Sequence, residues 1–229
     1  LTANGQDETG RHWLLSLTRQ SYRGEDRQFP EWADFGGSDG RTDGMDDEGR
    51  RQLFLRYGDR QWGFHLLHGR RTKEVAGGIY ATDFDVPADF VDATTQLGFK
   101  LQHEFSPVWS FDGQVYFGQY DFESKLGYSG VWERDDAGTH WSGLNGQITG
   151  RPWAGHVLVF GASWRGDNRW QENSGGRIES KRRVASFFGQ DEIRLNDWLT
   201  TSLGLRHDQD NLGNRQWSPR LGLIAKLPA

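Results

Sequence analysis

The stretch WLTTSLGLRHD, residues Trp198 to Asp208, alternates with a period of two. Leu199, Leu203 and Leu205, with Thr201 among them, fall on one side, and Thr200, Ser202, Gly204, Arg206 and Asp208 fall on the other. Successive side chains of a β-strand point to opposite faces, so this is a strand with one apolar face and one face of hydroxyls, glycine and ions. The fold follows from what each face meets.

The same habit recurs along the chain. In QLGFKLQHEF, Leu97, Phe99, Leu101 and Phe105 oppose Gly98, Lys100, Gln102 and Glu104. In SPRLGLIAKL, Leu221, Leu223, Ala225 and Leu227 oppose Arg220, Gly222, Ile224 and Lys226. Trp13, Leu15 and Leu17, then Leu53, Leu55 and Tyr57, then Trp62, Phe64 and Leu66 continue it, whereas HVLVFGASW and RVASFFGQDEIRL alternate less cleanly. About ten strands are expected, near 11–20, 50–58, 62–71, 94–105, 109–122, 140–150, 156–166, 183–195, 198–208 and 217–227. Connections near 58–61, 106–108, 151–155 and 196–197 are short, and those at 21–49, 72–93, 123–139, 167–182 and 209–216 are long. Long and short loops alternating along paired strands put the long loops at one end, the pattern of bacterial outer-membrane barrels.

Composition agrees. Only 34% of the 229 residues are hydrophobic, yet 14% are aromatic and eleven are Trp. That balance suits strands apolar on one side with aromatic residues at membrane boundaries better than a Leu-, Ile- and Val-rich water-soluble core. No apolar run is long enough for a transmembrane helix. Trp62, Trp109, Trp153 and Trp198 lie within or just after the short turns, as one interfacial girdle would require. All six prolines fall in loops, turns or strand ends, where no ladder N–H is lost. A net charge of -5 argues against a nucleic-acid partner, and the absence of cysteine rules out disulfides and thiolate metal sites.

The four tryptophans recur every 44 to 47 residues, close to the repeat of a soluble β-propeller blade. A propeller needs four short strands per repeat, and each period here offers two long ones. A barrel with an apolar exterior and a wet or plugged lumen is the expected architecture.

Chemical motifs are sparse. In the acidic loop GGSDGRTDGMDDEG, Asp39, Asp43 and Gly44 imitate part of a calcium loop, but Arg41 and Arg50 occupy two ligand positions. His65 and His68 would point to opposite sides of one strand and make no metal pair. No nucleophile elbow, phosphate-cradling glycine loop or zinc-protease motif is present. No catalytic residue, metal site or cofactor is therefore assigned. Polar groups on the lumenal side, Lys100, Gln102, Glu104, Gln114, Glu192, Arg194 and Arg206, are candidates to face solute or a plug. Trp32, Phe35, Tyr80, Trp132 and Trp170 in the long loops are candidates to grip an organic ligand.

The segment RVASFFGQDEIRLNDWLTTSLGLRHDQDNLGNRQWSPRLGLIAKLP resembles the barrel of TonB-dependent outer-membrane receptors in Phe188 to Asp191, Gly204 to Asp208 and Pro219 to Leu223. Upstream, DEGRRQLFLRYGDRQWGFHLLHGRRTKEV and GGIYATDF are similar to mid-barrel strands of the same family. The resemblance implies an antiparallel up-and-down transmembrane barrel of 22 strands filled by an N-terminal plug, located in the bacterial outer membrane. It also implies uptake of a scarce solute such as a ferric siderophore, cobalamin or glycan, driven through the TonB complex. Neither plug nor TonB box is recognisable, and Ala229 stands where the family ends on an aromatic residue. Twenty-two strands need roughly 500 residues, so residues 1–229 are expected to form a partial barrel domain of about ten strands. Its partners would be membrane lipid, the solute, and TonB through the missing plug. The rival from another class is a complete ten-stranded membrane protease, with Asp83, Asp85, His207, Asp208 and Asp210 among its long loops.

Overall fold

Backbone pairing follows chain order. The computed structural model describes residues 1–34 and 38–226. Its strands are β1 (Thr2–Gln6), β2 (His12–Tyr22), β3 (Arg27–Gln28), β4 (Arg41–Thr42), β5 (Glu48–Gly58), β6 (Trp62–Val75), β7 (Ala88–Glu104), β8 (Trp109–Tyr128), β9 (Val131–Gly150), β10 (His156–Asn173), β11 (Gly176–Arg194), β12 (Leu199–Asp210) and β13 (Arg215–Ala225). All except β3 and β4 form one eleven-stranded antiparallel sheet in which each strand pairs with its sequence neighbour. β3 and β4 pair as a separate ribbon within the loop that follows β2.

The ten expected strands are all present, and two features depart from the reading. An eleventh strand, β1, has the sequence TANGQ, which carries no apolar face, and the ladder to β2 holds it. The loops expected at 123–139 and 167–182 are mostly strand: β8 and β9 meet at Ser129 and Gly130, and β10 and β11 meet at residues 174–175. Ser129 and Gly130 both take positive φ, 50° and 78°, as the tight turn of a twisted hairpin requires. These extensions lack alternation because both faces are wet, so only backbone pairing and polar cross-strand contacts mark them. The single meander agrees with the expected barrel order and lacks the four-stranded repeats that a propeller needs.

Register assigns the faces. Leu17 pairs with Leu53, Leu55 with Leu66, Leu66 with Leu97, Phe99 with Val115, Val115 with Leu144, Phe187 with Ala162, and Leu203 with Leu221. These partners share one side of the sheet. On the other side Lys100 pairs with Gln114, Gln114 with Asn145, and Glu192 with Ser202. Lys100 on β7 and Arg206 on β12 line a common hollow although they stand five places apart in strand order. The polar face is therefore concave and the apolar face convex.

This arrangement inverts a water-soluble core. Among the described residues, the buried hydrophobic side chains are Phe84, Ala88 and Leu126, whereas Phe160 is 52% exposed and Leu221 69%. Monomeric soluble proteins rarely expose a continuous apolar surface of this kind. On the concave face aromatic rings lie across glycines of the neighbouring strand. Gly118 pairs with Trp141 and Gly161 with Phe188, and a Cβ at either glycine would lie within 2.3 Å of the ring. Glycine is required there for the close approach rather than for its φ.

Candidate functional site

The concave hollow has a volume of about 490 Å³ and is lined by strands β7 to β12. Lys100 and Gln102 reach it from β7, Asp112 and Gln114 from β8, Asn145 and Gln147 from β9, Ser163 from β10, Phe188 from β11 and Arg206 from β12. Gln102 donates to the Asp112 carboxylate at 2.7 Å. Arg206 donates from Nε to both Asp208 oxygens at 2.9 Å, and Asp208 also accepts the buried Ser186 hydroxyl. Arg206 is thus held in place and largely neutralised. Lys100, its stem packed over Gly63, forms no ion pair among the described residues. The hollow offers one cation without an ion pair, one carboxylate held by a neutral amide, several amides and one aromatic ring, which suits reversible binding of a polar solute.

Of the seven concave-face candidates, Lys100, Gln102, Gln114 and Arg206 line the hollow. Glu104, Glu192 and Arg194 share the face but lie nearer the short-turn end, where Arg194 binds Asp197. The reading from sequence missed Asp112, Asn145, Gln147, Ser163 and Phe188. Asp112 was legible, because it has the parity of Gln114. Asn145 and Gln147 required the β9 register, which their glycine-rich strand does not fix on its own.

At the other end, the loop between β6 and β7 is anchored by Asp83. Its carboxylate accepts the Gly130 and Ser129 amides at 2.9 and 2.8 Å, and these donations hold its pKa below the ordinary carboxylate value. Trp32 stacks on Phe84 with ring centroids 5.1 Å apart, and Phe29 meets Phe84 edge-on. Tyr80 is 76% exposed and, with Ala81, adopts left-handed φ, 52° and 62°, at the tip of this loop. Two consecutive non-glycine residues in that region cost roughly 1–2 kcal/mol each. Trp132 and Trp170 lie on strands β9 and β10 rather than in loops, and both are on the convex side. There Trp132 receives the Lys125 ammonium at 4.0 Å and Trp170 the Arg177 guanidinium at 4.9 Å. Phe35 lies outside the described residues.

Trp62, Trp109, Trp153 and Trp198 all stand at the short-turn end of the sheet. Trp13 joins them there: Tyr57 is its pairing partner, and Tyr57 and Trp62 have ring centroids 5.5 Å apart. Asp59 accepts the Trp62 and Gln61 amides, which lowers its pKa and fixes that turn. His156, edge-on to Trp153, binds Asp191 at 2.8 Å on the convex face, a polar pair that alternation had not suggested.

Asp83, Asp85, His207, Asp208 and Asp210 do not converge on one site among the described residues. Asp83 and Asp210 anchor turns, Asp85 accepts the Ser38 hydroxyl, and Asp208 binds Arg206 and Ser186. His207 faces the convex side, 4.3 Å from the Trp217 ring, opposite Asp208. Among the described residues no cluster of three or more His, Cys, Asp or Glu could hold a metal ion.

A polar concave wall, an apolar convex surface and an all-next-neighbour meander are the features of an antiparallel barrel wall. Residues 6–227 match the family model described as TonB dependent receptor-like, beta-barrel, and the chain belongs to that family. This family is a non-catalytic receptor class of the bacterial outer membrane. Among solved structures, the outer membrane transporter YddB from Escherichia coli matches at a TM-score of 0.72 and 11% identity, over 97% of this chain and 35% of that one. A mutant of the ferric enterobactin receptor PfeA from Pseudomonas aeruginosa matches at 0.69 and 13%, over 99% and 38%. The siderophore receptor PirA from Acinetobacter baumannii matches at 0.64 and 14%, over 99% and 38%. The chain thus spans little more than a third of the length of these structures. Comparison with curated proteins gives no match.

Proposed function

We propose that residues 1–229 form the wall of part of a larger transmembrane barrel, of 22 strands by analogy with the family, in a receptor that imports a scarce solute. The concave hollow shared by β7 and β12 carries this reading, because it places Lys100 and Arg206 around one polar space backed by an apolar exterior. The unpaired edges of β1 and β13 support it too, since an open sheet edge is untenable in lipid. The remaining strands and a plug contacted by the concave face would complete the protein, and energy would arrive through TonB bound to that plug. The convex face meets outer-membrane lipid, with Trp62, Trp109, Trp153 and Trp198 at one boundary.

Among the solutes considered, a ferric siderophore or similar metal chelate is favoured over cobalamin or a glycan. PfeA and PirA carry siderophore-receptor names, and Lys100 offers an unpaired cation to an anionic chelate. Tyr80, exposed and held in a left-handed conformation, is the foremost loop contact, followed by Trp32, which stacks on Phe84 of the same loop; Trp132 and Trp170, on the convex side, are not assigned to the solute. Uptake of labelled ferric siderophores, cobalamin and oligosaccharides by cells lacking the gene tests the proposal. Loss of chelate uptake, restored by the native gene and reduced by Lys100→Ala, is the expected result. Undiminished uptake of all three classes would sink it.

A further inference from the structure

On the convex face the register sets Arg19 opposite Arg51, and Arg51 opposite Arg70. Three arginines therefore stand side by side on β2, β5 and β6, across roughly 10 Å of sheet. Directly opposed like charges destabilise a sheet. None of the three makes a side-chain hydrogen bond or ion pair among the described residues. Other arginines of the sheet do find carboxylates: Arg71 binds Glu48, Arg165 binds Asp167, and Arg134 binds Glu123 and Asp136.

The surroundings give the row a direction. One step toward the short-turn end lie Leu17, Leu53 and His68, continuous with the apolar belt. One step toward the loop end lie Ser21, Gly49 and Thr72, which add no charge. Hollows of about 320 and 460 Å³ flank the arginines, and no carboxylate lines either. The hollow nearer the short turns is lined by Leu17, Leu53 and His68 next to Arg19 and Arg51. Asp47, Glu74 and Asp89 come a further step toward the loops, beyond both hollows.

We propose that the Arg19, Arg51 and Arg70 row binds the phosphorylated headgroup of a membrane lipid in the leaflet nearest the long loops. The acyl chain of that lipid lies along Leu17 and Leu53. This inference rests on the reading that the convex face meets lipid. A soluble anion would use the guanidinium groups alone, whereas leucines adjoining a cationic row on its short-turn side match a molecule with phosphate above hydrocarbon. The mutual repulsion of the arginines is relieved when phosphate bridges them.

The test uses the complete natural gene product, extracted from membranes in mild detergent and titrated by native mass spectrometry. The probes are a bis-phosphorylated glycolipid (lipid A) and phosphatidylcholine. At about fivefold per arginine, the R19Q/R51Q/R70Q variant is expected to bind lipid A roughly a hundredfold more weakly, with phosphatidylcholine unchanged. The charge-retaining R19K/R51K/R70K variant should keep most of the affinity, which separates loss of charge from loss of fold. Unchanged lipid A binding by the Gln variant overturns the site, and so does equal competition by inorganic phosphate, because Leu17 and Leu53 would then contribute nothing. Residues 1–229 contain no cysteine, so once any cysteine elsewhere in the complete protein has been replaced, a spin label at Leu203→Cys reports independently on the convex face. A label in lipid with unaltered Gln-variant binding defeats the arginine site alone, whereas a label in water defeats the lipid-facing reading beneath it.

Discussion

The belt of the sheet nearest the short turns and the two hairpins that project beyond it share one ladder but follow different rules. In the belt, Val115, Leu144, Phe160 and Leu203 alternate with Gln114, Asn145, Gly161 and Arg206, because each strand separates an apolar surface from a polar hollow. In the projecting hairpins, Arg134 meets Glu123 and Asp136, and Arg177 meets Glu172 and Glu179, all partly exposed. Such pairs add little apiece. The main-chain ladder, capped by turns such as Ser129–Gly130, keeps these segments extended. A strand shows period two in its sequence only where its faces meet different media, so the same backbone is plain to read in one region and hidden in the other.

The sharpest way to break this contrast is to place a charge at the centre of the belt. Leu203→Lys should destabilise the complete protein folded in lipid bilayers by about 2–4 kcal/mol, measured by reversible denaturant unfolding. An unchanged unfolding midpoint would mean that the convex face is wet. Gly118→Ala comes next, because its methyl group would meet the Trp141 ring. About 1–3 kcal/mol should be lost in the same assay, and retention of wild-type stability would show that the ring moves freely off the glycine.

The remaining tests concern the projecting region. Asp83 has a depressed pKa, so its hold on the Ser129–Gly130 turn is fully present above the ordinary carboxylate value and is lost as pH falls through the folded one. Protection factors of the Ser129 and Gly130 amides, taken against intrinsic exchange at each pH, should stay high near neutrality and fall only in that acid range, while Asp83→Asn lowers them at neutrality to the level the native protein shows in acid. Equal protection in the variant would remove Asp83 as the anchor. The smallest effect is expected for Ile178→Lys on the projecting part of β11, where Ile178 is 75% exposed. Stability should change by less than about 0.5 kcal/mol; a loss comparable to that of Leu203→Lys would erase the distinction between the regions.

The same physics explains which parts of the candidate site were visible beforehand. Lys100, Gln102, Gln114 and Arg206 could be assigned to one face because each adjoins an apolar residue of a belt strand: Lys100 lies between Phe99 and Leu101, Gln102 beside Leu101, Gln114 beside Val115 and Arg206 beside Leu205. Asn145 and Gln147 lie in a strand containing Gly143, Gly146 and Gly150, whose missing side chains weaken the alternation. β1 was hidden because backbone pairing to β2 is independent of side-chain polarity. Trp132 and Trp170 looked like loop residues because their neighbours are polar, yet they cover Gly127 and Gly138 on paired strands.

By itself the sequence determined the antiparallel meander, the two faces of each belt strand and the end at which the short turns and their tryptophans gather. All of these follow from period-two polarity and turn chemistry, which act over a few residues. Only the tertiary structure decided which face is concave, that β7 and β12 share one hollow, and that Arg19, Arg51 and Arg70 stand in a row. Curvature and register are properties of many strands together, and no single strand encodes its distance from another five places away.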